Sequence, residues 1–169
     1  KGAQIIVYSS AIGEDNSEII EAKLQKIPLI RRAEALARLM RGKDVITIAG
    51  SHGKTTTASL ASCLLLEAGF LPTVAVGVIV RNIDTNACAG TGEFFVAEAD
   101  ESDGSFLNYL PKYSIITNID REHLDYYRDF ENELSAFKDF VNKTRQDGCV
   151  FYCADDENLK IIAAGFKNK

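Results

Sequence analysis

Two rhythms of apolar and polar positions run through the 169 residues. Short unbroken apolar runs predict strands at residues 4–8, 45–49, 73–80, 94–97, 114–117 and 150–153, with Leu29 and Ile30 forming at most a brief one. Apolar residues at helical spacing predict helices between them. Asp15 followed by Glu18 resembles a capping arrangement for a helix reaching about Lys26, which Pro28 stops. A second helix over 33–41 carries Leu36, Leu39 and Met40 on one face and ends at Gly42. Ala58, Ala61, Leu65 and Ala68 mark a third, with Gly69 just past its end. Residues 130–144 form an amphipathic helix with Leu134, Phe137 and Val141 inward, and 157–164 a last one. Residues 81–92, polar and rich in Asn and Gly, read as loop. Strands alternating with helices predict an α/β fold, a mostly parallel sheet with helices on both faces.

One junction organises this pattern. The strand ending at Ala49 runs into Gly50, Ser51, His52 and Gly53, then Lys54, Thr55, Thr56 and a helix. Glycines let backbone N–H groups close on phosphate oxygens, and the helix adds its positive end. Lys54 supplies charge for terminal phosphates, and the Thr55 hydroxyl is a ligand for Mg²⁺. The usual G-x-x-x-x-G-K-[ST] spacing fails by one residue, since position 48 is Ile, so this is a variant loop. Residues 50–56 are the candidate ATP contacts.

Two further strands end in chemistry. The run at 94–97 leads into Glu98, Asp100, Glu101 and Asp103, and the run at 114–117 into Asn118, Asp120, Glu122, His123 and Asp125. In open parallel sheets ligands collect beyond the carboxyl ends of strands, and a carboxylate there beside a phosphate loop suits nucleotide Mg²⁺. Glu98 comes first and points to the crevice. Asp100, Glu101 and Asp103 fit a solvated turn equally well, and a lone loop histidine such as His123 fits a surface residue with an acidic partner.

Composition narrows the class. A net charge of −5 with no basic stripe argues against general nucleic-acid binding. No apolar run approaches the roughly 18 residues of a membrane span, and no signal-peptide pattern opens the sequence, which points to a cytoplasmic protein. Cys63, Cys88, Cys149 and Cys153 lack metal-site spacing and read as buried reduced thiols.

Three strings together resemble the Mur ligases: Ala-Gly-Ser-His-Gly-Lys-Thr-Thr-Thr at 49–57, Glu-Ala-Asp-Glu-Ser-Asp at 98–103, and Thr-Asn-Ile at 117–119 running on to His123 and Asp125. Ser9-Ser10-Ala11-Ile12, Ile27-Pro28 and Arg32-Ala33-Glu34 extend the likeness to the first segment. The resemblance implies a P-loop NTPase-like central domain, incomplete, over 43–169. Before it, 1–42 would be the tail of a Rossmann-like, UDP-binding domain, with further N- and C-terminal parts of a parent enzyme missing. It implies an ATP- and Mg²⁺-dependent ligase of peptidoglycan precursor synthesis. Within the family the strings look most like the member that joins L-alanine to UDP-N-acetylmuramate through an acyl phosphate.

By resemblance, Lys54, Glu98 and His123 are catalytic, and Thr55, Glu98 and His123 bind metal. Asn86 falls in a substrate-side loop. The family's frequent Gly-Gly is Gly77-Val78 here, a frequent Arg is Cys88, and an Asp before the histidine is Glu122. The alternatives are a murein tripeptide-recycling or other Mur-type ligase and, in another class, a P-loop NTPase switch that hydrolyses nucleotide without ligation.

Overall fold

The computed structural model describes residues 2–81 and 83–164. The chain forms two compact units, residues 1–41 and 42–169.

In the first unit, strands β1 (Ile6–Tyr8) and β2 (Leu29–Arg31) pair in parallel, joined by helix α1 (Ser17–Leu24), and helix α2 (Arg32–Leu39) follows. Asn16, not Asp15, caps α1: its side chain accepts from the N–H groups of Glu18 and Ile19. On α2 the buried positions are Ala33 and, at the cap, Met40, while Leu39 is exposed, which corrects the expected inward face.

The second unit is built on a six-stranded sheet. Its elements are β3 (Asp44–Ala49), α3 (Lys54–Glu67), β4 (Thr73–Val80), β5 (Thr85–Cys88), β6 (Phe94–Glu98), β7 (Tyr113–Ile116), α4 (Leu124–Tyr127), α5 (Phe130–Asn142), β8 (Cys149–Tyr152) and α6 (Glu157–Ala163). A short 3-10 turn, Ser105–Asn108, lies between β6 and β7. The strand order is β5-β4-β6-β3-β7-β8. All pairs are parallel except β4 with β5. The expected loop over 81–92 is thus corrected: residues 85–88 turn back as an antiparallel edge strand on β4. Thr-Asn-Ala-Cys carries no apolar alternation, so its pairing comes from the partner strand rather than its own pattern.

Alternation explains the two-sided core. Ile48, Val74, Val76, Val80 and Val96 cluster with Ala58 of α3. The intervening positions Val45, Thr47, Phe95, Ala97, Ser114 and Ile116 are just as buried, so a second layer covers the other face. α5 belongs to that layer. Ser114 Oγ lies 2.7 Å from Thr144 Oγ1 at its end, and Phe106 packs against Phe137 and Phe140 with ring centroids 5.4 and 4.8 Å apart. The inward face of α5 is Glu133, Ala136, Phe137, Phe140 and Val141, with Leu134 only half-buried.

Glu133 is the anomaly of this core. It is fully buried, and neither carboxylate oxygen has a hydrogen-bond partner among the described residues. Burial pushes its carboxyl group above the ordinary range. A carboxyl whose folded pKa is raised binds its proton more tightly in the native state. Stability therefore falls as pH rises from the unfolded carboxylate range through the folded pKa. Glu133→Gln should melt higher than the parent sequence at pH 7, with the gap closing toward pH 4; thermal melts across that range check it.

All four cysteines are free but not buried as expected: Cys63, Cys88 and Cys149 are half-buried and Cys153 is exposed. No helix among the described residues is long and apolar enough to cross a membrane.

Candidate functional site

Because β3, β6 and β7 run in parallel, their carboxyl ends share one sheet edge, and β3 lies between the other two. The ladder continues past the strands: Ala99 N–H donates to Ile48 O at 2.8 Å and Thr117 N–H to Ala49 O at 3.1 Å. The chain after each strand therefore starts from a fixed position.

The turn after β3 is neither helix nor strand until Lys54. Gly50 and Gly53 have φ of +124° and +81°, values a side chain resists. Gly53 is the N-cap of α3, with no side-chain cap hydrogen bond, and the first intrahelical bond runs from Thr57 N–H to Gly53 O. The N–H groups of residues 53–56 thus open outward at the positive end of a fourteen-residue helix. Those of Ser51 and His52 do not: they donate to Asn118 O and Asn118 Oδ1 at 3.1 and 2.8 Å. Of the expected contacts at 50–56, Ser51 and His52 therefore have their N–H groups engaged, while those of 53–56 belong to the open first turn of α3.

Lys54 folds back over the turn. Its Nζ donates to Gly50 O at 2.6 Å, to Ser51 O at 3.4 Å and to Glu101 Oε1 at 2.7 Å. Glu101 is fully buried, which decides against the solvated-turn alternative for it. Its backbone carbonyl accepts from Tyr127 O–H at 2.5 Å, and its Oε2 is buried without a partner among the described residues. Burial pushes the Glu101 carboxyl upward, opposed by the hydrogen bond from Lys54; burial likewise pushes the Tyr127 phenol up. Sequence reasoning missed Glu101 because nothing in an acidic run marks which member turns inward. The available signal was its spacing, three residues after Glu98, beside a lysine that needs a counter-charge.

Glu98 ends β6 and faces the turn. Its Oε2 accepts from Thr55 Oγ1 at 3.1 Å and its Oε1 from Gly77 N–H at 2.7 Å. A Cβ at Gly77 would stand 3.3 Å from both carboxylate oxygens, so the missing side chain makes room for Glu98. His123 lies beyond β7 in a left-handed conformation, φ +54°, with Nε2 3.7 Å from Glu101 Oε1 and 3.9 Å from Glu122 Oε2. The three expected metal ligands thus divide into a pair, Thr55 with Glu98, and His123 beside Glu101. Among the described residues no three His, Cys, Asp or Glu side chains form a metal-binding group. Asn86 is exposed on β5.

A donor-lined helix start with a lysine over it fits the phosphates of ATP, and the adjoining hydroxyl and carboxylate are hard oxygen donors that fit Mg²⁺. Fold and site together define an α/β domain with a P-loop-like turn at the carboxyl end of its central strand. The chain belongs to the Mur ligase family: residues 48–169 match the Mur ligase middle domain, and residues 1–44 the Mur ligase family catalytic domain.

Among relatives, UDP-N-acetylmuramate–L-alanine ligase of Desulfotalea psychrophila is 52% identical over 95% of this chain and 35% of its own length. That of Aquifex aeolicus is 49% identical over 93% of this chain and 35% of its own. The chain therefore spans about a third of these curated relatives. Among solved structures, UDP-N-acetylmuramate–alanine ligase from Thermotoga maritima superposes with a TM-score of 0.84 at 29% identity, covering 94% of this chain and 37% of that one.

Proposed function

We propose that the protein carrying these residues is an ATP-dependent carboxylate–amine ligase that joins L-alanine to UDP-N-acetylmuramate in peptidoglycan precursor synthesis, in the cytoplasm. The observation that carries this reading is the open cradle at 53–56 with Lys54 above it and the Thr55–Glu98 pair alongside. The half-identical relatives of that name supply the substrates. Residues 42–169 would hold the ATP phosphates, and residues 1–41 would belong to the domain that binds the UDP-sugar.

In the proposed reaction a carboxylate oxygen of the muramate lactyl group attacks the γ-phosphorus of ATP. The bond to the β,γ-bridging oxygen breaks, and ADP leaves with that electron pair. The amine of L-alanine then attacks the acyl phosphate carbonyl, loses a proton, and inorganic phosphate departs. The chemical difficulty is that two anions must meet. The N–H groups of 53–56 orient the phosphates, and Lys54 neutralises charge that moves toward the leaving oxygens. Thr55 and Glu98 would hold Mg²⁺, which when bound neutralises phosphate charge.

ADP release by the full-length protein should require both UDP-N-acetylmuramate and L-alanine and should yield the alanyl amide in equal amount, measured by coupled assay and mass spectrometry. Release into water alone, without amide, would make the protein an NTPase instead.

A further inference from the structure

The chain just beyond β7 grips the phosphate turn at several points. The Asn118 side chain addresses both ends of one residue: Oδ1 accepts from His52 N–H at 2.8 Å, and Nδ2 donates to His52 O at 3.0 Å. Thr117 Oγ1 donates to the same carbonyl at 2.6 Å. Asn118 O accepts from Ser51 N–H at 3.1 Å, and Asp120 N–H donates to Ser51 Oγ at 2.8 Å. On the adjoining side a Cβ at Gly50 would stand 2.3 Å from Thr117 Oγ1 and 2.7 Å from Asn118 O, so the turn is pressed against this template.

A turn bounded by two glycines has many conformations open to it, and only a few present four N–H groups and a lysine to one anion. We propose that Asn118, assisted by Thr117, is a positioning residue that holds turn 50–53 in its phosphate-binding shape. The proposal rests on the reading of that turn as a phosphate cradle. Asn118 acts through the backbone of His52, whose N–H and C=O it satisfies together. A carboxamide at this reach supplies both a donor and an acceptor. Aspartate supplies only acceptors and would set a negative oxygen against the His52 carbonyl. Thr117, the residue after β7 and still tied to Ala49 O by its N–H, fixes the same carbonyl, so the cradle inherits the rigidity of the central strands.

The test uses the full-length protein with Asn118→Asp, Thr117→Val and Lys54→Met, measuring ATP affinity by calorimetry, steady-state constants, and melting with and without ATP. Asn118→Asp should raise the KM and Kd for ATP by at least about tenfold, the effect of losing one or two hydrogen bonds' worth of organisation. The KM values for the sugar nucleotide and alanine should stay near those of the parent, and the ATP-induced rise in melting temperature should shrink. Thr117→Val should shift the same constants in the same direction by less. An Asn118→Asp protein that melts lower without nucleotide but binds ATP as the parent does would overturn the proposal, since Asn118 would then serve stability alone. If Asn118→Asp does not fold, unchanged ATP affinity in Thr117→Val overturns it. Failure of the cradle reading looks different: the parent protein binds no ATP, or Lys54→Met binds it equally well.

Discussion

Lys54→Met in the full-length protein should lower the rate of ligation by about a hundredfold to a thousandfold, the loss typical of one preorganised electrostatic contact to the reacting group. The same substitution should also destabilise the fold. Lys54 Nζ is the 2.7 Å partner of Glu101, whose side chain is fully buried and whose other oxygen already has no partner among the described residues. Removing one member of such a pair leaves a buried carboxylate with only His123, 3.7 Å away, beside it, and costs on the order of 3–5 kcal/mol. The two effects separate in the double variant Lys54→Met/Glu101→Gln. Replacing both charges by neutral groups of similar size should restore most of the melting temperature, because neither partner is left charged and alone. It should restore none of the activity, since the missing ammonium is what meets the phosphates. Melting curves and single-turnover rates on the three proteins check this. Recovery of activity together with stability would mean that Lys54 matters for folding and not for chemistry.

The sequence carried this site unevenly, for physical reasons. The turn after β3 was legible because glycines at 50 and 53, a Lys-Thr pair and a flanking strand and helix all constrain one another; few other structures satisfy them together. Glu98 was legible because it closes an apolar strand. Glu101 was not: burial of one carboxylate among several depends on Lys54, forty-seven positions earlier in the chain. Asn118 was legible as a polar residue at a strand end but not as a clamp on the turn, because a two-point hydrogen bond to His52 exists only once β3 and β7 are paired. On α5 the expected inward residues Phe137 and Val141 are buried and Leu134 only half-buried, with Glu133 beside them, while on α2 Leu39 is exposed although it was grouped with Met40. Helical periodicity fixes which residues share a face, while the layer beneath decides how the helix is rotated. By family likeness His123 was expected to help bind a second metal ion, apart from the Thr55–Glu98 pair. It lies against Glu101, and no contact joins it to that pair among the described residues.

The central claim is that ATP is cleaved by a carboxylate rather than by water, and positional isotope exchange tests it most directly. ATP carrying ¹⁸O in the β,γ-bridge is incubated with the full-length protein and UDP-N-acetylmuramate, without alanine. If an acyl phosphate forms reversibly, the β-phosphate of held ADP rotates before ATP re-forms, and the label scrambles into non-bridging β positions. The account expects scrambling that requires the muramate carboxylate and falls at least about a hundredfold in Lys54→Met, since re-forming ATP crosses the same charge-stabilised transition state. Scrambling that is independent of the muramate substrate, or that survives loss of Lys54 unchanged, would contradict it.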